Sequence, residues 1–201
     1  MYKLYYSPGA CSMSIHVALN ECGQPVVLEK VDLSAPRPAE FLKHNPRGQV
    51  PTLIDGDQTL REGAAILLHI LDKHKSPLLP QSGAARDSAI EWMMVANASL
   101  HPAYARVFFL KKNGVTEGPL MNAALEGINK IWSEVEQRLS SQSFVCGDQP
   151  TIGDILLTVM ANWSVPASLG PNTKRMLKAI SSRPSYQKAM QAEQVEYKAA
   201  A

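Results

Sequence analysis

The chain has 201 residues, of which 45% are hydrophobic and 19% charged, with a formal net charge of +2. This composition suits a globular protein of one or two domains, and the small charge argues against nucleic-acid binding. The longest apolar run, Ala64 to Leu71, is too short to cross a bilayer. Because no signal peptide is recognised and the three cysteines lack paired spacing, we expect a cytoplasmic protein.

Residues 1–76 alternate between strand and helix patterns. The predicted elements are a strand at 3–7, a helix at 12–22, a strand at 26–31, a helix at 39–44, a hairpin around Asp55-Gly56-Asp57 and a helix at 62–73. The order β-α-β-α-β-β-α is typical of a thioredoxin-like domain.

A segment rich in proline, serine and glycine, residues 77–85, is predicted to be a linker. Beyond it every pattern is helical, so residues 86–201 are expected to form an all-helical domain. The predicted helices are 86–112 with a bend at Pro102, 118–139, 155–163, 173–180 and 184–197. Thr151 and Asp154 have the spacing of a capping box at the start of the third of these helices.

Cys11 is placed where the first strand gives way to the first helix, after Pro8 and Gly9. The free N–H groups and the dipole of a helix start favour a thiolate, so we expect the pKa of Cys11 to lie below its usual value of about 8.5. The alternative is a small buried hydrophobic residue. Cys22 falls on the apolar stripe of the helix and is assigned to the core, and Cys146 is assigned to packing.

Two dipeptides are candidates for binding a ligand through their backbone groups. Val50-Pro51 precedes a strand, and a cis bond there would turn the polar groups of Val50 toward a peptide-like ligand; an ordinary trans turn is the alternative. Glu62-Gly63 opens a helix, where free N–H groups attract an anion and the carboxylate can hold an ammonium group. Such a pair suits the α-groups of an amino acid, although a first-turn acid often only interacts with the helix dipole.

These residues belong to five motifs, which are Tyr6-Ser7-Pro8-Gly9-Ala10-Cys11-Ser12, Asn45-Pro46-Arg47-Gly48-Gln49-Val50-Pro51, Arg61-Glu62-Gly63-Ala64-Ala65-Ile66, Leu100-His101 and the segment 146–154. Together they resemble a bacterial beta-class glutathione S-transferase from residue 2 to about residue 190. The resemblance implies glutathione as co-substrate, a homodimer, and a helical domain that binds small apolar electrophiles. No metal is expected because the histidines lack metal spacing, and the small charge and the short apolar runs predict no nucleic-acid or membrane partner.

The resemblance also implies residue roles. Cys11 and His101 are the implied catalytic residues, with Cys11 beside the glutathione sulfur. The implied glutathione-binding residues are Ala10, Cys11, Leu33, Gln49, Val50, Pro51, Glu62, Gly63 and His101. Among them Val50 pairs through its backbone with the cysteinyl unit and the Val50-Pro51 bond is cis. Tyr104 and Trp163 are implied to line the electrophile pocket.

Three positions depart from the family pattern. Arg61 replaces a frequent threonine, Pro102 replaces a frequent lysine, and Met94 replaces a frequent polar residue. The change at Pro102 removes a positive charge that would have met the glycyl carboxylate of glutathione.

The residues leave three functions open. The first is conjugation by the glutathione thiolate. The second is glutathione-dependent reduction of disulfides, peroxides or halogenated compounds through a mixed disulfide on Cys11, since Ser14 stands where a dithiol oxidoreductase has its second cysteine. The third is a non-catalytic adaptor with the same fold. A lone histidine such as His101 is often structural, and the histidines show no metal spacing.

Overall fold

The computed structural model describes residues 1–199. Within them lie four strands and nine α-helices, with a π-helical segment, Val95–Leu100, between the fourth and fifth helices. In chain order the elements are β1 (Tyr2–Tyr6), α1 (Ser12–Glu21), β2 (Val26–Lys30), α2 (Ala39–His44), β3 (Thr52–Asp55), β4 (Gln58–Arg61), α3 (Gly63–Lys73), α4 (Gly83–Met94), α5 (His101–Lys112), α6 (Pro119–Leu139), α7 (Ile152–Ala161), α8 (Pro171–Ser181) and α9 (Pro184–Glu193).

The four strands form one sheet in the order β2-β1-β3-β4. Strand β2 runs parallel to β1, whereas β3 is antiparallel to both β1 and β4. The β3-β4 hairpin closes through Gly56 and Asp57, where Gly56 has a φ of +60° that a side chain would disfavour. The predicted thioredoxin-like order of strands and helices is therefore confirmed.

Helix α1 lies at the junction of the sheet and the helical part of the chain. It packs against β1 and α3 on one side and against α7 and α9 on the other. Eight of its ten residues, from Ser12 to Leu19, are buried. The start of α1, and with it Cys11, is consequently fixed by elements from both parts of the chain.

The capping box predicted at residues 151–154 is present at the start of α7. The Asp154 carboxylate accepts hydrogen bonds from the backbone N–H of Thr151 at 2.8 Å and of Val145 at 2.9 Å. Burial raises the pKa of Asp154 above its ordinary value. All ten residues of α7 are buried, so this helix forms the centre of the helical core.

The predicted single helix over 86–112 is wrong in two respects. Its first part begins at Gly83, and the irregular turn is the π-helical segment, which lies before Pro102. Pro102 cannot donate to the carbonyl of Ala98, and its ring crowds that group, so the hydrogen-bond ladder changes one turn upstream of the proline. The predicted bend at Pro102 is thus displaced toward the N-terminus.

The last helix is also shorter than expected. It ends at Glu193 because Gln194 adopts a left-handed conformation, with a φ of +56°, that stops the helix.

Residues 77–82, within the predicted linker, contain neither helix nor strand. Residues 200 and 201 of the predicted helical domain lie outside the described residues, and among residues 1–199 no helix is long and apolar enough to span a membrane.

Candidate functional site

Two adjoining cavities lie between the sheet domain and the helices. The larger has a volume of about 660 Å³ and is lined mainly by apolar side chains, and the smaller has a volume of about 220 Å³. The residues that line both cavities are Cys11, Gln49, Val50 and His101. All four were predicted as glutathione-binding residues, so the predicted set converges where the cavities meet.

Cys11 immediately precedes α1 and is half-buried. Its thiol lies 3.7 Å from the carbonyl oxygen of Val50, to which it donates a weak hydrogen bond. Burial raises the pKa of the Cys11 thiol to about 11, an effect larger than the opposing one of the backbone N–H groups of Cys11 and Ser12. The predicted lowering of this pKa is therefore wrong, because desolvation outweighs the helix start.

The other two thiols are also partly buried, and burial raises the pKa of Cys22 and of Cys146. Cys22 packs against the hydrophobic core, as predicted. The sulfur of Cys146 accepts hydrogen bonds from the hydroxyls of Ser88 at 3.7 Å and Thr151 at 3.6 Å, which gives it a packing role.

The segment before β3 presents its backbone to the cavities. The Val50-Pro51 bond is cis, as the resemblance implied. Asn45 holds the turn from inside, since its side-chain amide donates to the Gln49 carbonyl at 2.8 Å and to the Thr52 hydroxyl at 3.0 Å. Within residues 1–199 the N–H of Val50 has no hydrogen-bond partner, so it is available to a ligand.

Glu62 joins β4 to α3 with a φ of +71°, a strained value for a residue with a side chain. Its carboxylate accepts a hydrogen bond from the guanidinium of Arg47 at 2.6 Å, and both side chains are exposed. The next residue, Gly63, packs closely beside Asn97. A Cβ at this position would lie only 3.3 Å from the Asn97 Oδ1, which is a tight contact that glycine avoids. Asn97 lies in the π-helical segment and lines the smaller cavity, a role that the sequence patterns did not indicate.

His101 begins α5 and reaches both cavities. Burial lowers its pKa below the ordinary value of 6.5, so the ring is neutral at neutral pH. Its ring meets that of Trp163 edge to face, with centroids 5.2 Å apart.

Trp163 lines the larger cavity as predicted, but Tyr104 does not. Tyr104 is fully buried beneath Trp163, with ring centroids 5.2 Å apart, and its hydroxyl accepts a hydrogen bond from the indole N–H of Trp132 at 3.0 Å. Burial raises the pKa of Tyr104 to about 12. Tyr104 was predicted to line the electrophile pocket, but it does not line the larger cavity and instead packs beneath Trp163 and supports it.

The cavity face of α5 is formed instead by Ala105 and Phe108. These residues follow His101 at spacings of four and seven, which is one face of a helix, whereas Tyr104 lies on the neighbouring face toward the core. The spacing from His101 would have indicated them.

Arg37 is a further cavity residue that the sequence patterns did not indicate. Its guanidinium donates to the carbonyl oxygens of Gly48 at 2.9 Å, of Asp32 at 2.8 Å and of Leu33 at 3.2 Å. These carbonyl partners fix the side chain, whose positive charge also interacts with the nearby Asp32 carboxylate. The three departures from the family pattern, Arg61, Met94 and Pro102, do not line either cavity in the described part of the chain.

Comparison with known families and proteins identifies the chain. Residues 9–73 match the family model for the glutathione S-transferase N-terminal domain, and residues 102–175 match the one for the C-terminal domain. The chain is 31% identical to glutathione S-transferase GstA of Escherichia coli O157:H7 over 95% of its own length and 98% of that protein. The chain belongs to the glutathione S-transferase family.

Two further members of the family are similar over nearly the whole chain. Glutathione S-transferase GST-4.5 of Xanthomonas campestris is 30% identical, with 95% of this chain and 98% of that protein covered. The structure of a bacterial beta-class glutathione S-transferase of Sphingomonas chungbukensis superposes with a TM-score of 0.82 at 30% identity, covering 96% of this chain and all of that one. The predicted fold and the predicted glutathione transferase activity are confirmed, with glutathione as co-substrate. Within residues 1–199 no group of three or more His, Cys, Asp or Glu side chains is arranged to hold a metal ion.

Proposed function

We propose that this glutathione S-transferase places glutathione along the smaller cavity and attacks small apolar electrophiles held in the larger one. The observation that carries this assignment is the meeting of the two cavities at Cys11, Val50 and His101. The smaller cavity is lined largely by polar and charged side chains, whereas the larger is lined mainly by apolar ones. The smaller cavity therefore suits a tripeptide and the larger one an apolar electrophile, and the two cavities adjoin.

Glutathione has three recognisable parts, and each meets a matching group. The γ-glutamyl end carries an ammonium and a carboxylate, and Glu62 with Arg47 presents one charge of each sign at the smaller cavity. The cysteinyl unit pairs with the free N–H of Val50. The glycyl carboxylate then extends toward Gln49 and Arg37, and the positive charge of Arg37 replaces the one missing at position 102.

The attacking sulfur belongs to glutathione. With a pKa of about 11, Cys11 is a thiol at neutral pH. Its single S–H donates to the Val50 carbonyl in this structure and turns to donate to the glutathione thiolate when glutathione binds. The thiolate attacks the electrophilic carbon, a C–S bond forms, and the leaving group departs with the bonding electron pair. His101, which is neutral, orients the thiolate or the leaving group by an N–H hydrogen bond from the opposite side of the cleft.

The electrophile lies against the apolar wall formed by Phe108, Ala105, Trp163 and Val195. Phe108 and Trp163 have ring centroids 5.8 Å apart, so a flat apolar ring fits beside them. The protein is further proposed to be cytoplasmic, as its cysteine usage indicated, and to be a homodimer, as the resemblance implied.

The test compares two adjacent phenylalanines of α5. Phe108 lines the larger cavity, whereas Phe109 is 67% exposed and does not line it. Conjugation of glutathione to a chlorinated nitroaromatic compound is measured with each variant. Phe108→Ser should raise the KM for the electrophile severalfold and leave the KM for glutathione unchanged, and Phe109→Ser should change neither. Equal effects of the two variants, or an unchanged electrophile KM in Phe108→Ser, would refute the assignment of the larger cavity.

Glutathione-dependent reduction is the second candidate, because the Cys11 sulfur borders both cavities. The Cys11 thiolate would attack the glutathione sulfur of a disulfide between glutathione and a small thiol, and that thiol would leave as its thiolate while glutathione stays bonded to Cys11. A second glutathione thiolate would then attack this mixed disulfide, release oxidised glutathione and regenerate the Cys11 thiolate. Such an attack requires the thiolate of Cys11, which the raised pKa makes scarce at neutral pH. Conjugation is therefore the favoured activity.

A further inference from the structure

Gly9 is held on both of its polar groups by side chains from the helical part of the chain. Its N–H donates to the Glu193 carboxylate at 3.0 Å, and its carbonyl oxygen accepts the indole N–H of Trp163 at 2.9 Å. Gly9 has a φ of +66° and lies two residues before Cys11. The γ-carbons of Val195 close the remaining side, since a Cβ on Gly9 would lie 3.5 and 3.6 Å from them.

Both partners of Gly9 are themselves fixed. The Glu193 carboxylate is buried, and its second oxygen lies 3.0 Å from the Nδ1 of His16 on α1. Trp163 is packed edge to face on Tyr104, whose own hydroxyl is bonded to Trp132. The two hydrogen bonds to Gly9 therefore come from side chains that are each held by further contacts, with Glu193 buried and Trp163 partly buried.

The turn transmits this constraint to Cys11. The N–H of Ala10 donates to the Ser7 carbonyl at 3.0 Å, and the Ala10 carbonyl accepts the N–H of Met13 at 2.9 Å. Gly9 lies in the first of these turns and Cys11 in the second, and the two turns share Ala10 and lead directly into α1. A shift of Gly9 would therefore move Cys11 relative to Val50.

We propose that Glu193 and Trp163 are positioning residues for Cys11, and that they act through Gly9. The two side chains hold the turn so that the Cys11 sulfur stays against the Val50 carbonyl and is shielded from water. When either bond is lost, the freed polar group of Gly9 is satisfied by water instead, and the turn opens. Trp163 also lines the larger cavity. The same side chain therefore contributes to electrophile binding and to the position of Cys11.

The experiment measures how fast each cysteine of the protein reacts with iodoacetamide at fixed pH, by mapping modified peptides over time. Trp163→Phe retains an aromatic ring in the cavity wall and loses the donor to Gly9, and Glu193→Ala loses the acceptor. Both variants should raise the rate at Cys11 about fivefold or more, with the rates at Cys22 and Cys146 unchanged. Iodoacetamide labelling uses no glutathione, so its outcome is separate from that of the proposed function.

A matched control tests whether any loss of contact between the two parts of the chain has the same effect. Arg183 forms two hydrogen bonds of 2.7 Å with the Glu21 carboxylate, which likewise join α9 to α1 but do not touch the turn. Arg183→Gln should lower the melting temperature without changing the rate at Cys11.

Two results would overturn the proposal. One is an unchanged iodoacetamide reaction rate at Cys11 in folded Trp163→Phe. This result would show that the hydrogen bonds to Gly9 have a structural role only. The other is an equal rise in Arg183→Gln, which would show a general loosening of the protein. If Glu193→Ala does not fold, Trp163→Phe and the Arg183→Gln control decide the question.

Discussion

The guanidinium of Arg47 lies 2.6 Å from the carboxylate of Glu62 at the smaller cavity, and the two side chains are 57% and 62% exposed. An exposed ion pair of this kind contributes only about 0–1 kcal/mol to stability. Yet Glu62 has a positive φ, which is costly for a residue with a side chain. Strain together with a weak ion pair indicates that the position serves a ligand more than the fold.

The first prediction concerns Glu62→Gln, which retains the shape of the side chain and removes its charge. A charge-assisted hydrogen bond to the ligand's ammonium is worth about 1.5–3 kcal/mol, so glutathione affinity should fall about 10- to 100-fold. The melting temperature should change little, because the lost ion pair is exposed. Calorimetric titration with glutathione measures the affinity.

Glu40 provides the control for Glu62. It forms a similarly exposed ion pair with Lys43 at 2.6 Å, away from both cavities. Glu40→Gln should leave glutathione affinity unchanged. If Glu62→Gln binds glutathione as tightly as Glu40→Gln while its stability drops, the residue is structural.

The second prediction concerns Arg37 and the glycyl end of glutathione. If its guanidinium meets the glycyl carboxylate, the protein should prefer glutathione to its glycyl monoethyl ester, which lacks that charge. Arg37→Gln should remove most of this preference by weakening the binding of glutathione more than that of the ester. Calorimetry with both ligands gives the ratio. A role limited to holding the carbonyls of Asp32 and Gly48 would weaken both ligands equally and leave the ratio intact.

The third prediction follows from the buried bond between Trp132 and Tyr104. Tyr104→Phe leaves the indole N–H of Trp132 without its acceptor, at a cost of about 1–3 kcal/mol. The melting temperature should fall by roughly 2–12 °C, since about 1 kcal/mol corresponds to 2–4 °C in a chain of this size. Because Tyr104 does not line the cavity, the KM for the electrophile should stay within twofold of the wild-type value. A much larger rise in that KM, with little loss of stability, would indicate that Tyr104 contacts the electrophile.

Local patterns predicted the fold well because strands and helices depend on residues close in sequence. The alternation around Asp55 and Gly56 and the capping residues Thr151 and Asp154 are signals of this kind. The hydrogen bond from Gly9 to Glu193 joins residues that are 184 positions apart. No local pattern contains such a contact, and the sequence therefore gave no sign of it.

The errors at the site have the same physical origin. The helix start made a low pKa for Cys11 a sound local expectation, but desolvation depends on the side chains that the fold brings around it. Tyr104 is one helical position from the cavity-facing Ala105, and a rotation of about 100° separates cavity from core. When a helix is packed on several sides, the sequence pattern does not show which neighbour a given side chain faces. The tertiary structure is needed to assign it.

The fourth prediction concerns the pH dependence of Cys11. Since its pKa is about 11, the reactive thiolate is a minor species at pH 7, and the alkylation rate should rise nearly tenfold per pH unit between about pH 7 and 10. The pKa values of Cys22 and Cys146 are raised as well, so all three cysteines should react slowly at pH 7. Iodoacetamide labelling with peptide mapping at several pH values measures the three rates. A Cys11 rate that levels off below pH 8 would instead indicate an activated thiolate.

The last prediction separates conjugation from reduction by replacing Cys11 with alanine. In conjugation the attacking sulfur belongs to glutathione, and the start of α1 with its N–H groups persists in Cys11→Ala, so transfer to a chlorinated nitroaromatic compound should fall only partially. In reduction Cys11 is a covalent participant, and glutathione-dependent reduction of a small disulfide should be nearly abolished. Both rates are measured on one preparation whose folding is checked by circular dichroism. Complete loss of conjugation in a folded variant that still binds glutathione would assign the essential sulfur to Cys11, whereas undiminished reduction would exclude the mixed disulfide.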